Sequence, residues 1–227
     1  MKDSKKYSEA LAKTVRSLKR KYGKIEKPEY GMSAEVLVYA VLSQYLSESA
    51  SATAIKKLAA HFVDWNDLRV ARTDELTDVI GKDTVETREM ADTMTKVLMA
   101  IFNKYDVMNL EAVAEAGKRQ AKAILEKLIP ESRYVINYVV LTAFEGHAIP
   151  LNVQMLEYLK ANELVHPEST AEEIEGFLER QVPANQAYEF YELIRKDAES
   201  TMSKKSTSVA SNSALNAKTS SKSAKKQ

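Results

Sequence analysis

The stretch AILEKLIPESRYVINYVVLTAFEGHAIPLNVQ, residues 123–154, decides the fold of this chain. Its pattern predicts a helix that ends near Leu128, a short connection interrupted by Pro130, and a second helix. Pro130 cannot continue the first helix because proline lacks an N–H group and restricts the residue before it. The second helix is expected in the core because it is apolar on several sides. A glycine-containing turn then leads to a third helix, which begins near Asn152.

Helical periodicity extends over the rest of the chain, and no segment alternates polar and apolar residues as a strand does. Residues 34–46 are apolar almost all round, which predicts a helix at the centre of a helical domain with Ser33 as its N-cap. Ser47 and a capping box at Thr170–Glu173 are predicted to begin two further helices. The sequence therefore predicts an all-α protein of about ten helices.

Four segments carry a resemblance to a known family. The matching residues are Leu128-Ile129-Pro130-Glu131-Ser132-Arg133-Tyr134-Val135-Ile136, Thr142-Ala143-Phe144, Leu151-Asn152-Val153-Gln154, and the run from Val41 to Glu48. The family has Leu-Pro-Gly-Val-Gly-Arg-Lys-Thr-Ala in the first segment, Ala-Phe-Gly in the second, Val-Asp-Thr-His in the third, and Leu-Leu-Ser-Ala-Gln-Ala-Thr-Asp in the last. The chain thus resembles the helix-hairpin-helix DNA glycosylases similar to endonuclease III.

The resemblance covers about residues 30–200 and implies an endonuclease III-like helix-hairpin-helix glycosylase fold in two lobes. Residues 1–29 are then expected to form a basic N-terminal helix that packs on the second lobe. Residues 201–227 contain almost no large apolar side chains and are expected to form a disordered Ser/Lys-rich tail.

The resemblance also implies an activity whose two catalytic positions are both changed here. In the family, a hairpin lysine attacks the sugar C1′ as an amine nucleophile, and an aspartate supports cleavage of the glycosidic bond. Tyr134 occupies the lysine position, and its hydroxyl cannot form an imine. Asn152 occupies the aspartate position and cannot act as a base near neutral pH. Restoring both residues, by Tyr134→Lys with Asn152→Asp, is therefore expected to restore activity if the pocket is intact.

These changes predict a catalytically degenerate relative of the base-excision repair glycosylases that acts by binding DNA or protein, and they favour the absence of enzyme activity. Two alternatives remain open. One is an active monofunctional DNA glycosylase with an altered mechanism. The other is a protein-interaction scaffold, whose partner would bind the acidic middle of the chain.

Six side chains are candidate DNA contacts on the basis of the resemblance: Gln44, Tyr45, Lys127, Ser132, Arg133 and Gln154. Lys127 is predicted to be the only basic amine near the expected pocket. Pro130 and Ser132 stand in place of hairpin glycines, so the hairpin loses a donor N–H and the freedom to adopt positive φ. Ser132 and Arg133 are still expected to be able to contact a phosphate.

Charge is distributed unevenly along the chain, although the formal net charge is only +1. Residues 1–27 carry ten Lys or Arg against three acidic residues, and residues 201–227 carry six lysines and no acidic residue. Residues 28–200 carry 17 basic and 29 acidic residues, a net charge of −12. The basic ends are therefore the expected source of most of the attraction to DNA.

Residues 8–22 are predicted to form an amphipathic helix with one apolar face and one basic face. The basic face is interpreted either as a contact for nucleic-acid phosphates or as the solvated surface of a docked helix. The basic tail suits attraction to nucleic acid or simple solubility equally well.

The chain has no cysteine, so it can form neither disulfides nor a thiolate-held iron–sulfur cluster, although many relatives carry four cysteines near the C-terminus. The three histidines, His61, His147 and His166, lack the spacing of metal ligands, and no metal or other cofactor is expected. The sequence has no signal-like segment and no apolar run of about 18 residues. We expect a cytoplasmic monomer without membrane contact, associated with the nucleoid if it binds duplex DNA.

Overall fold

The computed structural model describes residues 4–202, which form twelve α-helices and one 3-10 helix. They are α1 (Ser4–Tyr22), α2 (Glu35–Tyr45), α3 (Glu48–His61), α4 (Trp65–Arg69), α5 (Thr73–Ile80), α6 (Val85–Tyr105), α7 (Glu111–Ala114), α8 (Lys118–Leu128), α9 (Arg133–Thr142), α10 (Val153–Ala161), α11 (Ala171–Gln181), the 3-10 helix Ala184–Gln186, and α12 (187–202). Within residues 4–202 no strand forms, and the β-type pairing is limited to one bridge between Ser33 and Asn109. The predicted all-α class is confirmed.

Two residues of the tail predicted at residues 201–227 are helical, because Thr201 and Met202 belong to α12. The Thr201 hydroxyl donates a hydrogen bond to the Asp197 carbonyl, one turn earlier in the helix (2.8 Å). The prediction of disorder from residue 203 onward lies outside the described residues. In the described part of the chain, no helix is long and apolar enough to span a bilayer.

The centre of the fold is α2, as its sequence predicts. Seven of its eleven residues are buried, and it packs against α3, α6 and α9. The helix begins later than predicted, because Ala34 rather than Ser33 is the N-cap residue. The Ser33 hydroxyl oxygen instead accepts a hydrogen bond from the Glu35 N–H (3.2 Å), so it still orders the approach to the helix.

Two predicted caps fix where later helices begin. The Ser47 hydroxyl oxygen accepts a hydrogen bond from the Ala50 N–H (3.4 Å) and starts α3 directly after α2. Thr170 and Glu173 form the reciprocal capping box that starts α11. These side chains satisfy N–H groups that have no partner inside the helix, so they determine the first turn.

The hairpin consists of α8, residues 129–132 and α9. Every residue of α9 from Tyr134 to Thr142 is buried, as expected of a core helix. After α9 the chain turns sharply, and the Gly146 N–H donates to the Val140 carbonyl (2.7 Å). A Cβ at Gly146 would lie 2.6 Å from the Val140 Cγ1, so this turn requires glycine. The turn directs the chain toward the start of α10.

The first helix, α1, packs against the C-terminal helices. Leu11 and Leu18 are buried on its inner face. The Ser8 hydroxyl donates to the side-chain oxygen of Gln181 at the end of α11 (2.6 Å). The Tyr22 hydroxyl donates to a carboxylate oxygen of Asp197 in α12 (2.9 Å). These contacts leave the outer face of α1 exposed.

Candidate functional site

An open cleft of about 430 Å³ lies between the hairpin, the C-terminal end of α2 and α6. The residues that line this hairpin cleft are Gln44, Tyr45, Glu89, Asp92, Thr93, Lys96, Val97, Leu128, Ile129, Pro130, Glu131 and Ser132. Three of the six candidate DNA contacts meet here, namely Gln44, Tyr45 and Ser132. The sequence therefore identified two of the three walls of the cleft, and folding adds α6 as the third.

The hairpin cleft is acidic. Glu89, Asp92 and Glu131 line it, and Lys96 is the one basic residue among the lining side chains. Phosphate groups are repelled by such a surface, so the cleft by itself is a poor contact for a nucleic-acid backbone.

Two polar side chains at the end of α2 face this surface with few partners. The Gln44 Oε1 is buried and has no hydrogen-bond partner among the described residues. The Tyr45 hydroxyl has one long contact, with the Thr93 hydroxyl (3.4 Å). An unsatisfied buried acceptor costs free energy, which makes Gln44 the lining residue best suited to receive a hydrogen bond from a ligand.

The amine in the hairpin cleft is Lys96, not Lys127 as the sequence suggested. Lys127 is exposed on α8 and does not line the cleft. Lys96 belongs to α6, far from the hairpin in sequence, and no local pattern distinguishes it from the other exposed lysines. Only the packing of α6 beside the hairpin places this amine in the cleft.

Ser132 and Arg133, the predicted phosphate contacts of the hairpin, are already engaged. Ser132 is 8% exposed, and its N–H donates to the Ile129 carbonyl (2.9 Å). The Arg133 guanidinium donates to Glu175 (2.6 Å) and Glu172 (2.9 Å) of α11. Burial raises the pKa of Glu175, although Arg133 acts in the opposite direction. A phosphate would have to compete with two carboxylates for the guanidinium.

The remaining candidate, Gln154, does not reach the hairpin cleft. It lies on α10 and lines a separate groove with Tyr158 and Thr201, beside α12. The structure therefore divides the six candidates into a group in the cleft and three side chains outside its lining.

Tyr134, which the resemblance assigns to the nucleophile position, is a buried side chain. The Tyr134 hydroxyl lies 2.8 Å from the Tyr191 hydroxyl and 3.2 Å from the Ser43 hydroxyl. The side chain is 5% exposed, and burial raises the pKa of its hydroxyl. This neutral hydroxyl is hydrogen-bonded and inaccessible to a sugar.

Tyr134 belongs to a group that we call the tyrosine–arginine cluster, in which Tyr134, Tyr138, Tyr191 and Arg195 are buried and Tyr30, Tyr39 and Tyr188 are partly buried. Each tyrosine ring contacts at least one other ring of the group, at centroid distances of 5.6 to 6.3 Å. The Tyr30 and Tyr138 hydroxyls lie 3.1 Å apart. Aromatic side chains that pack in this way add to the stability gained from burying their area.

Arg195 is the charged member of the cluster and is 1% exposed. Its guanidinium donates to the Tyr191 hydroxyl (3.0 Å), the Glu199 carboxylate (2.9 Å) and the Leu46 carbonyl (3.2 Å). Burial lowers the pKa of Arg195, but Tyr191, Tyr134 and other neighbours outweigh this effect and hold it above its ordinary value. The residue joins α12 to the end of α2.

The expectation that Tyr134→Lys with Asn152→Asp restores activity stays a prediction, and the surroundings of both residues argue against it. A lysine at residue 134 would place its amine among buried side chains next to Arg195, where a second positive charge is unfavourable. Asn152 is also structural, because its Oδ1 accepts a hydrogen bond from the Met155 N–H (2.9 Å) and caps α10.

The residues present do not fit the iron–sulfur cluster that many relatives of this resemblance carry. The chain has no cysteine, and the corresponding region is part of α12, where Asp197 receives hydrogen bonds from Lys21, Tyr22 and Tyr158. No group of three or more His, Asp or Glu side chains in the described range 4–202 is arranged to hold a metal ion. The absence of a cofactor stays a prediction.

Solved structures with a similar fold are DNA glycosylases. A trapped endonuclease III–DNA covalent intermediate matches with a TM-score of 0.63 and 17% identity over 83% of this chain and 84% of that one. A thermostable thymine-DNA glycosylase matches with a TM-score of 0.58 and 12% identity over 85% and 86%. The 8-oxoguanine glycosylase/lyase of Clostridium acetobutylicum, in complex with double-stranded DNA, matches with a TM-score of 0.64 and 12% identity over 88% and 71%.

No protein-family model matches this sequence, and no curated protein matches it. At these low identities the structural similarity demonstrates a common fold. The predicted endonuclease III-like fold is therefore confirmed.

Proposed function

We propose that this chain, which has the fold of the helix-hairpin-helix DNA glycosylases, binds duplex DNA and does not use imine chemistry at its hairpin. The observation that carries the proposal is the similarity over 83% to 88% of the chain to proteins solved with DNA, including endonuclease III and an 8-oxoguanine glycosylase/lyase. A fold preserved over this length supports retention of its most general property, which is contact with DNA.

The geometry of the nucleophile position supports the second part of the proposal. Tyr134 has no amine, and its hydroxyl is bonded to Ser43 and Tyr191 inside the core. Asn152 likewise uses its side-chain oxygen to cap a helix. Both positions therefore contribute to folding, which is consistent with a protein that binds DNA without cutting it.

The test combines two measurements on the full chain. Fluorescence anisotropy with an undamaged duplex at low salt is expected to show binding. A panel of duplexes with damaged bases, treated with borohydride, is expected to give no trapped protein–DNA adduct because no imine forms. The absence of binding at low salt would overturn the DNA function and favour a protein-interaction scaffold.

A second candidate function, a monofunctional glycosylase with an altered mechanism, is favoured by one observation. The hairpin cleft holds the Lys96 amine together with the carboxylates of Asp92 and Glu131. Amines and carboxylates are the groups that glycosidic-bond cleavage uses. Base release that disappears in Lys96→Ala, but persists in Lys104→Ala on the same helix, would establish this function in place of the first.

A further inference from the structure

The outer face of α1 carries a row of cations that the hairpin does not account for. Four exposed basic residues share one face of the helix, because at 3.6 residues per turn they fall within about 80° around its axis: Lys5, Lys13, Arg16 and Arg20. We call these four residues the α1 stripe. Glu9 lies on the same face, so the stripe and this residue together carry a charge of +3.

The cations on the flanks of α1 are paired, whereas those of the α1 stripe are not. Lys19 contacts Glu189 (2.7 Å), Lys21 contacts Asp197 (2.5 Å) and Lys6 contacts Glu163 (3.9 Å). No member of the α1 stripe has an ion-pair partner among residues 4–202. Docking of α1 therefore uses its flanking charges and leaves the outermost ones free.

We propose that the α1 stripe is a contact surface for the phosphate backbone of duplex DNA, separate from the hairpin. This inference rests on the proposed DNA-binding function. The stripe is about 22 Å long, since Lys5 and Arg20 are fifteen residues apart and each step rises about 1.5 Å. That length matches the phosphates of about six base pairs along one strand.

The acidic residues around the hairpin make it a weaker contact for phosphate groups than the α1 stripe. The hairpin cleft presents Glu89, Asp92 and Glu131, and the Arg133 guanidinium is bonded to two carboxylates. A duplex would therefore meet repulsion at the hairpin and attraction at α1.

A membrane surface is the other common partner of a basic amphipathic helix, and the packing of α1 argues against it. Such helices bind membranes through a free apolar face. In α1 the apolar residues Tyr7, Leu11 and Leu18 are buried in the protein core, opposite the stripe. The outer face offers charge without apolar area.

The experiment compares the salt dependence of duplex binding in two triple variants of the full chain. The stripe variant is Lys13→Gln, Arg16→Gln and Arg20→Gln, which keeps helix propensity nearly constant. The matched control is Lys56→Gln, Lys82→Gln and Lys104→Gln, which removes three exposed cations from other helices and loops. Circular dichroism verifies that both variants remain folded.

We expect the stripe variant to flatten the plot of log affinity against log salt by roughly two to three units, because each lost phosphate contact removes about 0.9. The control variant should keep nearly the wild-type slope. Equal slopes for wild type and stripe variant, or equal losses in both variants, would overturn the inference while leaving the DNA-binding function intact. If wild type binds anionic vesicles but no duplex, both proposals fail.

Discussion

The hairpin cleft and the tyrosine–arginine cluster both adjoin the N-terminal end of α9, but they differ in exposure and in hydrogen bonding. The cleft is open and acidic, and the Gln44 Oε1 at its lining has no hydrogen-bond partner among the described residues. In the cluster, Tyr134 and Arg195 are buried, and the hydroxyl of Tyr134 and the guanidinium of Arg195 have hydrogen-bond partners. Ser132 lines the cleft, whereas Tyr134, two residues later, belongs to the cluster.

The difference shows that two residues close together in sequence can lie in environments with opposite requirements. A buried polar network stabilises only when its members are satisfied, and Tyr134 meets that condition through Ser43 and Tyr191. At the edge of the cleft this condition is not met, because the buried Gln44 Oε1 has no hydrogen-bond partner among the described residues. Stability and binding are thus expected to respond to different residues.

The largest expected effect is on the cluster, in Arg195→Met. Removing the guanidinium leaves the Glu199 carboxylate and the Leu46 carbonyl without it, and breaking a buried charged network of this kind costs about 4 kcal/mol. Denaturant unfolding measures the change. Arg180→Met, at an exposed position of α11, is the control and should change the free energy of unfolding by less than about 0.5 kcal/mol. Similar values for both variants would contradict this description of the cluster.

Tyr134→Lys is expected to destabilise the protein by about 3 kcal/mol, because it buries a second cation close to Arg195. It should yield no borohydride-trapped adduct, with or without Asn152→Asp. The control Tyr134→Phe removes the hydroxyl but keeps the ring and should cost only about 1 kcal/mol. A folded, active Tyr134→Lys protein would mean that this side chain can reach a substrate.

Glu192, beside the tyrosine–arginine cluster, should make the free energy of unfolding depend on pH. Burial, followed by repulsion from Glu48, raises the pKa of Glu192 from 4.5 to about 7, while Arg195 and Lys196 oppose the rise. Because the pKa of Glu192 is higher in the folded state, its contribution to the free energy of unfolding is fully present below about pH 4.5. This contribution is lost as the pH rises through about 7.

Glu192→Gln removes this dependence. It should therefore match wild type near pH 5 and exceed its free energy of unfolding by about 2 kcal/mol near pH 8. Unfolding at a series of pH values measures the difference, with Glu126→Gln at an exposed position of α8 as control. A constant difference across the series would show that Glu192 is ionised throughout.

The smallest expected effect is on the cleft, in Glu131→Gln. Removing one exposed carboxylate from the hairpin should strengthen duplex binding by about twofold at low salt and less at high salt, because exposed charges are screened. Glu115→Gln in the exposed part of the loop after α7 is the control. Weaker binding or lost base release in Glu131→Gln would instead favour the glycosylase with an altered mechanism.

The fold could be predicted from the sequence because the residues that start and end its helices act locally. Pro130 ends α8, Gly146 allows the turn after α9, and the Thr170–Glu173 capping box starts α11. The error at the start of α2, where Ser33 was predicted as the N-cap, arose because Ser33 and Ala34 are adjacent and both lie near the first turn. The assignment of Tyr134 and Asn152 to the family's two catalytic positions rests on the resemblance and stays a prediction.

The sequence by itself determined that this is an all-α chain with an endonuclease III-like fold, and the resemblance assigned Tyr134 to the position of the family's lysine. Only the tertiary structure decided what that tyrosine does and which amine is in the cleft. The Tyr134 hydroxyl lies within hydrogen-bond distance of Ser43 and Tyr191, and Lys96 lines the cleft beside the hairpin. Both arrangements bring together distant parts of the chain. Helical periodicity specifies which face of a helix is buried, but it does not specify the partner. The partner depends on how the helices pack around one another, because packing fills the whole core at once.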